Sequence, residues 1–374
     1  MADRPQLVVA TPGDPFDPGT WSGSSAFLVR ALEQAHALAG AIDASSHAVD
    51  RLEQLASFSP NRVRWRQRYH SRSSFASGLA RSVRSGVARR RLPGEPEAVL
   101  HVGAWALLPG RVRASFHDGN LAVSLARGEP LLDPRSRSVR RALEADRRFY
   151  EQMDVLLPMS DWLRRSFVED YGQDPANVVT VGAGANLRGL PDVPERAYEQ
   201  PRFLFVGKQW ERKGGPQLLE AFRVVHAERP EAELWIVGPE QPVAGPGVRF
   251  FGRISRAHPE GERRLSELYA GATAFAMPSL YEPFGIVFLE AMAYGLACVA
   301  SDRCAMPEIV ADGVSGFTVD AHDVDAVGQR LLELTDPERA RAFGQEGRRR
   351  LVERFTWDGV ADRIVEAIST RTAP

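Results

Sequence analysis

The chain has 374 residues, a formal net charge of -1 and 44% hydrophobic residues. This length favours two domains, and the balanced charge argues against a nucleic-acid-binding protein. The two cysteines, Cys298 and Cys304, exclude a disulfide framework and a cysteine zinc site, and they suit a reducing compartment. The N-terminal residues MADRPQLVVATPGD lack the apolar segment of a secretory signal, and no apolar run approaches the ~20 residues that cross a bilayer. We therefore expect a cytoplasmic protein.

Short apolar runs alternate with amphipathic segments in the first half of the chain. The runs are of the kind that forms buried strands, and they begin at Leu7, Val99, Ala114, Val155 and Val178. Helical patterns lie between them, for example over 26–36 and over 161–171, where Ser160 is a suitable N-cap. Such alternation predicts a parallel sheet covered by helices.

An arginine-rich stretch departs from the balanced charge. Between Asn61 and Leu92 there is no Asp or Glu, and arginine recurs at 62, 64, 66, 68, 72, 81, 84, 89, 90 and 91. Phe75, Leu79, Val83 and Val87 are spaced like one face of a helix. One interpretation is a solvated surface. The other is peripheral membrane contact through Arg62-Arg91, or contact with an anionic acceptor.

The segment from Gly184 to Pro201 is rich in Gly, Pro and charge, and we interpret it as the connection between two domains. A second series of apolar runs follows, beginning at Phe203, Glu233, Val248 and Thr273. The predicted class is α/β, with two Rossmann-like domains facing a central cleft. The predicted bounds are 1–186 for the N-terminal domain, 187–200 for the linker, 201–355 for the second domain and 356–374 for a C-terminal helix.

Two glutamates stand in the otherwise apolar stretch SLYEPFGIVFLEAMAYG, from Ser279 to Gly295. A helix that begins near Gly285 would be apolar on every side and therefore buried. Its first N–H groups would form a phosphate site, and Glu290 would lean back toward them. Glu282 lies in the loop before the helix. The two carboxylates would bracket a nucleoside diphosphate sugar, with Glu290 on the ribose; alternatively, they form caps or salt bridges.

The stretch FVGKQWERKGG follows a predicted strand and opens a helix. Lys208 and Lys213 in this loop can neutralise charge that develops on a leaving phosphate. The alternative is that both are ordinary solvated lysines.

The second half resembles the retaining GT-B glycosyltransferases of family 4, the "glycosyl transferases group 1". The matching motifs are FVGKQWERKGG, ELWIVGPE, EPFGIVFLE, EAMAYGLACVASD and PEIVADGVSGFTV. Weaker similarities in the first half are GDPFDPGTWSGSS, SFHDGN and DVLLPMSDWLRRSFVEDYG. FTWDGVADRIVEAI is similar to the family's C-terminal helix, which crosses back onto the first domain.

The resemblance implies a role for each matched position. Catalytic roles fall on Glu282, Lys213 and His117, and His117 would face the transferred sugar. Donor contacts fall on Gly23, Lys208, Lys213, Arg253, Ile254, Glu282, Phe284, Gly285, Ile286, Val287 and Glu290. Two departures weaken this transfer: the family often has arginine at Lys208, and it often has two glycines where this chain has Cys304 and Ala305.

Three alternatives belong to other classes. An NAD-dependent oxidoreductase would use VTVGAGANLRG, but no third glycine opens a helix there. A metal-dependent transferase would use Asp323 and Asp325, which the sequence places at a helix start, where aspartate caps helices. A catalytically silent nucleotide-sugar-binding relative is the third.

The sequence as a whole predicts a retaining, metal-independent hexosyltransferase without a cofactor. The donor is a nucleoside diphosphate sugar, with UDP favoured over GDP-mannose by the resemblance. The acceptor is a hydroxyl of a glycan, a glycolipid or a small molecule, and no nucleic-acid partner is expected.

Overall fold

A computed structural model describes residues 4–17, 19–56, 58–60, 78–126, 135, 137–193 and 195–372. The chain forms two compact units, one from residues 1–182 together with 357–374, and the other from residues 183–356. Each unit is an α/β body, in agreement with the predicted class. Among the described residues, no helix combines the length and the apolar character needed to span a bilayer.

The first unit has a parallel sheet with the strand order β2-β1-β3-β4-β5. These strands are β1 (Leu7–Thr11), β2 (Leu38–Asp43), β3 (Ala98–Val102), β4 (Val112–His117) and β5 (Val155–Pro158). All but β2 are largely buried, because helices cover both faces of a parallel sheet. The chain reverses its direction of winding between β1 and β3.

Helices surround this sheet. In the described residues they are α1 (Ser24–Gln34), α2 (His47–Ala56), α3 (Gly78–Arg89), α4 (Leu121–Ala126), α5 (Arg137–Tyr150), α6 (Asp161–Glu169) and, at the C-terminus, α13 (Trp357–Thr372). The predicted cap of α6 is confirmed, since Ser160 Oγ accepts from Leu163 N at 3.2 Å. The strand predicted from Val178 is wrong as a strand: Val178 forms a single bridge to Leu156.

The C-terminal helix α13 belongs to the first unit, as predicted. The ring of Trp357 packs edge-on against Phe116 with 6.5 Å between centroids. Arg363 Nε donates to the carbonyl of Val181 at 2.8 Å, and Arg371 Nε donates to that of Asp154 at 2.9 Å. These contacts fix the helix against the end of β4 and the segment beside β5.

The second unit has a parallel sheet with the order β11-β10-β9-β6-β7-β8. Its strands are β6 (Arg202–Val206), β7 (Glu233–Val237), β8 (Val248–Gly252), β9 (Ala274–Met277), β10 (Ala297–Ser301) and β11 (Gly316–Val319). The chain winds outward from β6 to β8 and then returns to place β9 on the other side of β6. The pair β6 and β9 is therefore the switch point of this sheet.

The helices of the second unit connect these strands. They are α7 (Gly215–Glu228), α8 (Pro259–Gly271), α9 (Ile286–Ala293), α10 (Met306–Ile309), α11 (Val324–Glu333) and α12 (Pro337–Arg354). The predicted buried helix after Gly285 is α9, whose residues from Phe288 to Ala293 are all buried. This helix is buried on all sides, which explains why its sequence is apolar on all sides.

The segment predicted as a linker, 187–200, lies in the second unit. Arg196 Nε donates to the carbonyl of Ala272 at 2.7 Å, and Tyr198 is buried. The chain passes between the units at Gly182 and again after Thr356. The composition correctly predicted a segment without regular secondary structure. Such a segment can still pack against a domain, as this one does.

The arginine-rich stretch is described only from Gly78 onward, so Arg62 to Arg72 and Phe75 lie outside the described residues. In α3 the expected orientation is reversed: Leu79 is 77% exposed, whereas Arg84 is 1% exposed. The cause is ion pairing. Arg84 Nη2 lies 2.8 Å from carboxylate oxygens of both Asp50 and Glu53. A solvated position is therefore wrong for Arg81 and Arg84, whereas Arg89 at the end of the helix is exposed, and membrane contact stays a prediction.

Candidate functional site

The switch point of the second sheet brings two loops together. The loop 207–214 leaves the carboxyl end of β6, and the loop 278–285 leaves the same end of the neighbouring strand β9. In open parallel sheets, ligands bind outside the carboxyl ends of strands where the winding reverses. The two sequence motifs that predicted phosphate and sugar contacts therefore meet at the position where this fold binds ligands.

The two loops are locked to one another through their backbones. Leu280 N donates to the carbonyl of Arg212 at 2.9 Å. Gly214 has φ +71°, and a Cβ at this position would lie 1.9 Å from the carbonyl oxygen of Pro278. Only glycine fits such a position, because it tolerates positive φ and leaves space for the other chain. Side chains from the two loops are thereby held in fixed proximity.

Lys213 and Glu282 form the central pair of the site. The Nζ of Lys213 lies 2.5 Å from Glu282 Oε2, and both side chains are 13% exposed. The stem of Lys213 passes over Gly207, where a Cβ would lie 2.3 Å from its Cδ. Burial raises the pKa of Glu282, but Lys213 and Arg212 outweigh burial and hold that pKa below its ordinary value. The site therefore contains a fixed ion pair in which glutamate is ionised.

The N-terminus of α9 lies at the end of the second loop. Its N-cap, Gly285, has φ 64°, and no side chain of the described chain caps the helix there. Phe284 is buried, while Ile286 and Val287 are half-buried. The first amides thus keep the partial positive charge of an uncapped helix end, which favours an anion. In the loop after β10, Cys304 adopts φ 55°, a conformation typical of glycine.

Glu290 has a partner that the sequence analysis missed. Arg256 forms a fork with it, with Nη1 at 2.8 Å from Oε1 and Nη2 at 2.5 Å from Oε2. The hydroxyl of Tyr269 donates to Oε2 at 3.1 Å, and Nη1 of Arg256 also donates to the carbonyl of Asn186 at 3.1 Å. Burial lowers the pKa of Arg256, and the Glu290 carboxylate more than reverses this effect. The buried carboxylate is therefore balanced by a rigid cation.

Three other predicted donor residues have weaker support from their surroundings. Lys208 is exposed, and Arg253 forms an exposed ion pair with Glu240 at 3.6 Å. Ile254 is half-buried in the loop that also carries Arg256. The roles of Lys208, Arg253 and Ile254 stay predictions.

The first unit has its own irregular loop at its switch point. After β1, three consecutive residues have positive φ: Trp21 at 49°, Ser22 at 57° and Gly23 at 86°. Gly23 is the N-cap of α1, and no described side chain caps that helix either. The uncapped start of α1 carries partial positive charge, which favours an anion. Trp21 packs edge-on against Phe116 at 5.3 Å, as a structural residue would.

His117, which the resemblance places near the transferred sugar, lies at the end of β4 with its ring buried. Its ring is 3% exposed, its Nε2 lies 2.7 Å from Ser115 Oγ, and it packs against Tyr150 and Phe167. Burial lowers its pKa to about 3, with further contributions from His101 and Arg81. The ring is therefore neutral in its buried environment, and its role toward the transferred sugar stays a prediction. The residue type at a strand end could not reveal which way the ring points.

Of the two residues of the metal-site alternative, Asp323 caps a helix, and the alternative itself stays untested. Asp323 Oδ1 accepts from Ala326 N at 2.9 Å and is the N-cap of α11, as the sequence suggested. The oxidoreductase alternative also lacks support, since the described residues from Gly184 to Val193 contain no helix.

Comparison with solved structures identifies the fold. Sucrose-phosphate synthase from Thermosynechococcus elongatus superposes with a TM-score of 0.66 at 18% identity, covering 98% of this chain and 99% of that one. WaaG, a glycosyltransferase involved in lipopolysaccharide biosynthesis, gives 0.64 at 16% identity over 97% of this chain and 99% of its own. The fold is GT-B, which confirms the predicted fold class.

Comparison with sequence families is more specific. Residues 200–336 match the family model of glycosyl transferases group 1, so this chain carries a domain of that family and the predicted resemblance is confirmed. The alpha-maltose-1-phosphate synthase of Mycolicibacterium smegmatis is 32% identical over 59% of this chain. The phosphatidyl-myo-inositol mannosyltransferase of the same species is 31% identical over 60% of it. The aligned regions span 64% and 59% of these two relatives, less than two thirds of each.

Proposed function

We propose that this protein is a glycosyltransferase that moves a hexose from a nucleoside diphosphate sugar to an acceptor hydroxyl. The observation that carries the proposal is the ion pair between Lys213 and Glu282 at the switch point of the sheet, with 2.5 Å between Nζ and Oε2. The loop that holds Glu282 leads directly into the uncapped start of α9. A cation and a helix N-terminus suit a diphosphate, and an ionised carboxylate suits sugar hydroxyls. The relatives' names support the class of reaction.

Lys213 can bind Glu282 and a donor phosphate at the same time. An ammonium has three N–H donors, and the structure assigns one to Glu282 and a weak one to Met277 Sδ at 3.5 Å. A donor phosphate would accept hydrogen bonds from the remaining N–H of Lys213 and from the backbone amides of Ile286 and Val287. In the reaction, these groups would stabilise the negative charge that develops on the departing diphosphate. Glu282, held by Lys213, would bind hydroxyls of the hexose.

Glu290 would bind the ribose, but with limited capacity. A carboxylate offers about four acceptor positions, and Arg256 and Tyr269 already occupy three of them. One ribose hydroxyl can therefore donate to Glu290 directly. Arg256 retains unused N–H donors on a side chain that is 30% exposed, and these would bind the second ribose oxygen or the base.

The finer features of the reaction rest on the resemblance. They are retention at the anomeric carbon, independence from a metal and a preference for UDP. GDP-mannose is the other candidate donor, since one relative carries the name GDP-mannose-dependent alpha-(1-6)-phosphatidylinositol monomannoside mannosyltransferase. The acceptor is a hydroxyl of a glycan, a glycolipid or a small molecule. A cytoplasmic location and a membrane-bound acceptor are part of the same proposal.

A nucleotide-release assay tests the proposal. The full-length protein is incubated with UDP-glucose or GDP-mannose, with and without EDTA, in the presence of a mixture of hydroxyl acceptors. We expect release from one donor that persists in EDTA and disappears in Lys213→Met. Release that requires added magnesium or manganese would replace this account with a metal-assisted one. Release that Lys213→Met leaves unchanged would remove the site from the reaction.

A further inference from the structure

A groove in the first unit has a strong positive charge. It has a volume of about 800 Å³ and lies between α3 and α5, with Leu107 and Phe149 among its apolar lining. Its lining also includes five arginines and one glutamate: Arg81, Arg137, Arg140, Arg141, Arg148 and Glu144. We call it the arginine groove. A volume of this size is in the range of small-molecule sites.

One of these arginines is held rigidly. Arg81 Nε donates to the carbonyl of Ala104 at 2.8 Å, and Nη2 lies 2.5 Å from Asp146 Oδ1. Nη1 donates to the carbonyl of Ala145, and the guanidinium lies over the ring of Phe149 at 5.1 Å. Arg81 is 8% exposed, so this cation forms a fixed part of the groove wall. Arg148 is paired with Glu144 at 3.0 Å.

The other three arginines of α5 that line the groove, Arg137, Arg140 and Arg141, are exposed. Within the part of the chain that the structure describes, no carboxylate lies within ion-pair distance of Arg137, Arg140 or Arg141. Their spacings of three and four residues place like charges next to one another on one helix face, which destabilises a helix. A sequence does not gain stability from such a face, so an external anion is the natural counter-charge.

Helix α12 carries another arginine-rich face, and several of its arginines are paired within the protein. Arg349 contacts Glu346 and Glu353, each at 2.5 Å. Arg350 donates to the carbonyl of Glu308 at 3.0 Å, and Arg339 is paired with Glu333. Each of these α12 arginines thus finds its acceptor within the protein. Helix α5 differs in that three of its arginines share one groove and have no such acceptor among the described residues.

We propose that the arginine groove binds a phosphate-bearing anion. Guanidinium groups match phosphate oxygens with two parallel N–H donors, and the arginines of α5 offer several such pairs above an apolar floor. The phosphate belongs to a soluble metabolite or to a lipid headgroup, and the same chemistry recognises both. This site is separate from the donor site in the second unit and does not depend on the proposed transferase activity.

The test uses the full-length protein and three variants. The groove variant carries Arg137→Gln, Arg140→Gln and Arg141→Gln. The charge-matched control carries Arg263→Gln, Arg264→Gln and Arg349→Gln, and Lys213→Met reports on the donor site. Two probes are used: inorganic phosphate followed by phosphorus NMR, and flotation with vesicles of phosphatidylcholine alone or mixed with phosphatidic acid. Thermal unfolding confirms that each variant is folded.

We expect the groove variant to lose binding while the charge-matched control and Lys213→Met keep it. For vesicles the loss should be about a hundredfold, since each arginine near an anionic surface contributes roughly fivefold. Binding of free phosphate identifies a soluble ligand, and binding of the anionic vesicles alone identifies a headgroup. The proposal is overturned if neither probe binds, or if the charge-matched control loses as much as the groove variant.

Discussion

The two glutamates of the second unit differ in the cation that each contacts. Glu282 contacts Lys213 of the neighbouring loop, whereas Glu290 contacts Arg256, which lies 34 positions earlier in the chain. Both pairs combine a half-buried or buried carboxylate with a fixed cation. The alternative of simple salt bridges is therefore correct as a description of the contacts. The same contacts set the charge and the hydrogen-bonding capacity that a donor would meet.

Removing Arg256 should destabilise the protein. Arg256→Met leaves the Glu290 carboxylate, 8% exposed, without its cation. The loss of one partner of a buried pair costs 3–5 kcal/mol in general, and the 30% exposure of Arg256 reduces our expectation to about 1–3 kcal/mol. Chemical denaturation measures the change. Arg253→Met, in the same loop but in an exposed pair, is the matched control and should change stability by less than about 1 kcal/mol.

The double variant Arg256→Met with Glu290→Gln should recover part of the loss, because it no longer buries an unpaired charge. Equal stability of Arg256→Met and Arg253→Met would show that the fork contributes nothing.

The two carboxylates should separate binding from turnover. Glu290→Gln should weaken the affinity for free nucleoside diphosphate and for the intact sugar donor alike, because both contain the ribose. Glu282→Gln should mainly affect the intact donor and its turnover. Calorimetric titration with both ligands distinguishes these effects. The opposite pattern would mean that the assignment of carboxylates to sugar rings is reversed.

At the level of elements, the site depends on how closely two loops approach. Gly214→Ala should destabilise the protein by about 3 kcal/mol or more, because its Cβ would lie 1.9 Å from Pro278 O at a φ of +71°. Gly313→Ala is the control, since its φ is +68° but nothing lies within 4 Å of the added Cβ. The control should cost only about 1 kcal/mol for the left-handed backbone. Equal costs for the two variants in thermal unfolding would contradict the close contact.

The sequence predicts strands that stand out as apolar runs between helical segments, because there the apolar run and the strand coincide. The strands that begin near Phe203, Glu233 and Val248 lie close to their predicted positions. β2 was missed because LAGAID is small and mostly half-buried. The orientation of α3 was predicted in reverse, because the acidic partners of Arg84 lie some 30 positions away. Arg256 was missed for the same reason: pattern within a segment carries no information on distant partners.

For the molecule as a whole, two buried histidines link stability to pH. Burial lowers the pKa of His101 to about 4 and that of His117 to about 3, from an ordinary 6.5. Between these values the unfolded chain binds protons that the folded protein does not. Stability should therefore fall as the pH decreases from about 6.5, by roughly 1.4 kcal/mol per pH unit for each histidine.

Denaturation between pH 5 and 7 tests this dependence, in a range where most carboxylates remain ionised. His117→Gln should reduce the slope by about half. His258→Gln, at an exposed position, should leave the slope unchanged. A flat profile in the unmodified protein would contradict the burial of both rings.

The central claim is that the switch point of the second unit binds a nucleoside diphosphate through Lys213 and the start of α9. Calorimetric titration of the full-length protein with UDP and with GDP tests this claim most directly. We expect saturable one-to-one binding of at least one nucleotide, weakened by about tenfold or more in Lys213→Met through the loss of a charge-assisted hydrogen bond. If neither nucleotide binds, or if Lys213→Met binds as tightly as the unmodified protein, the assignment of this site is contradicted.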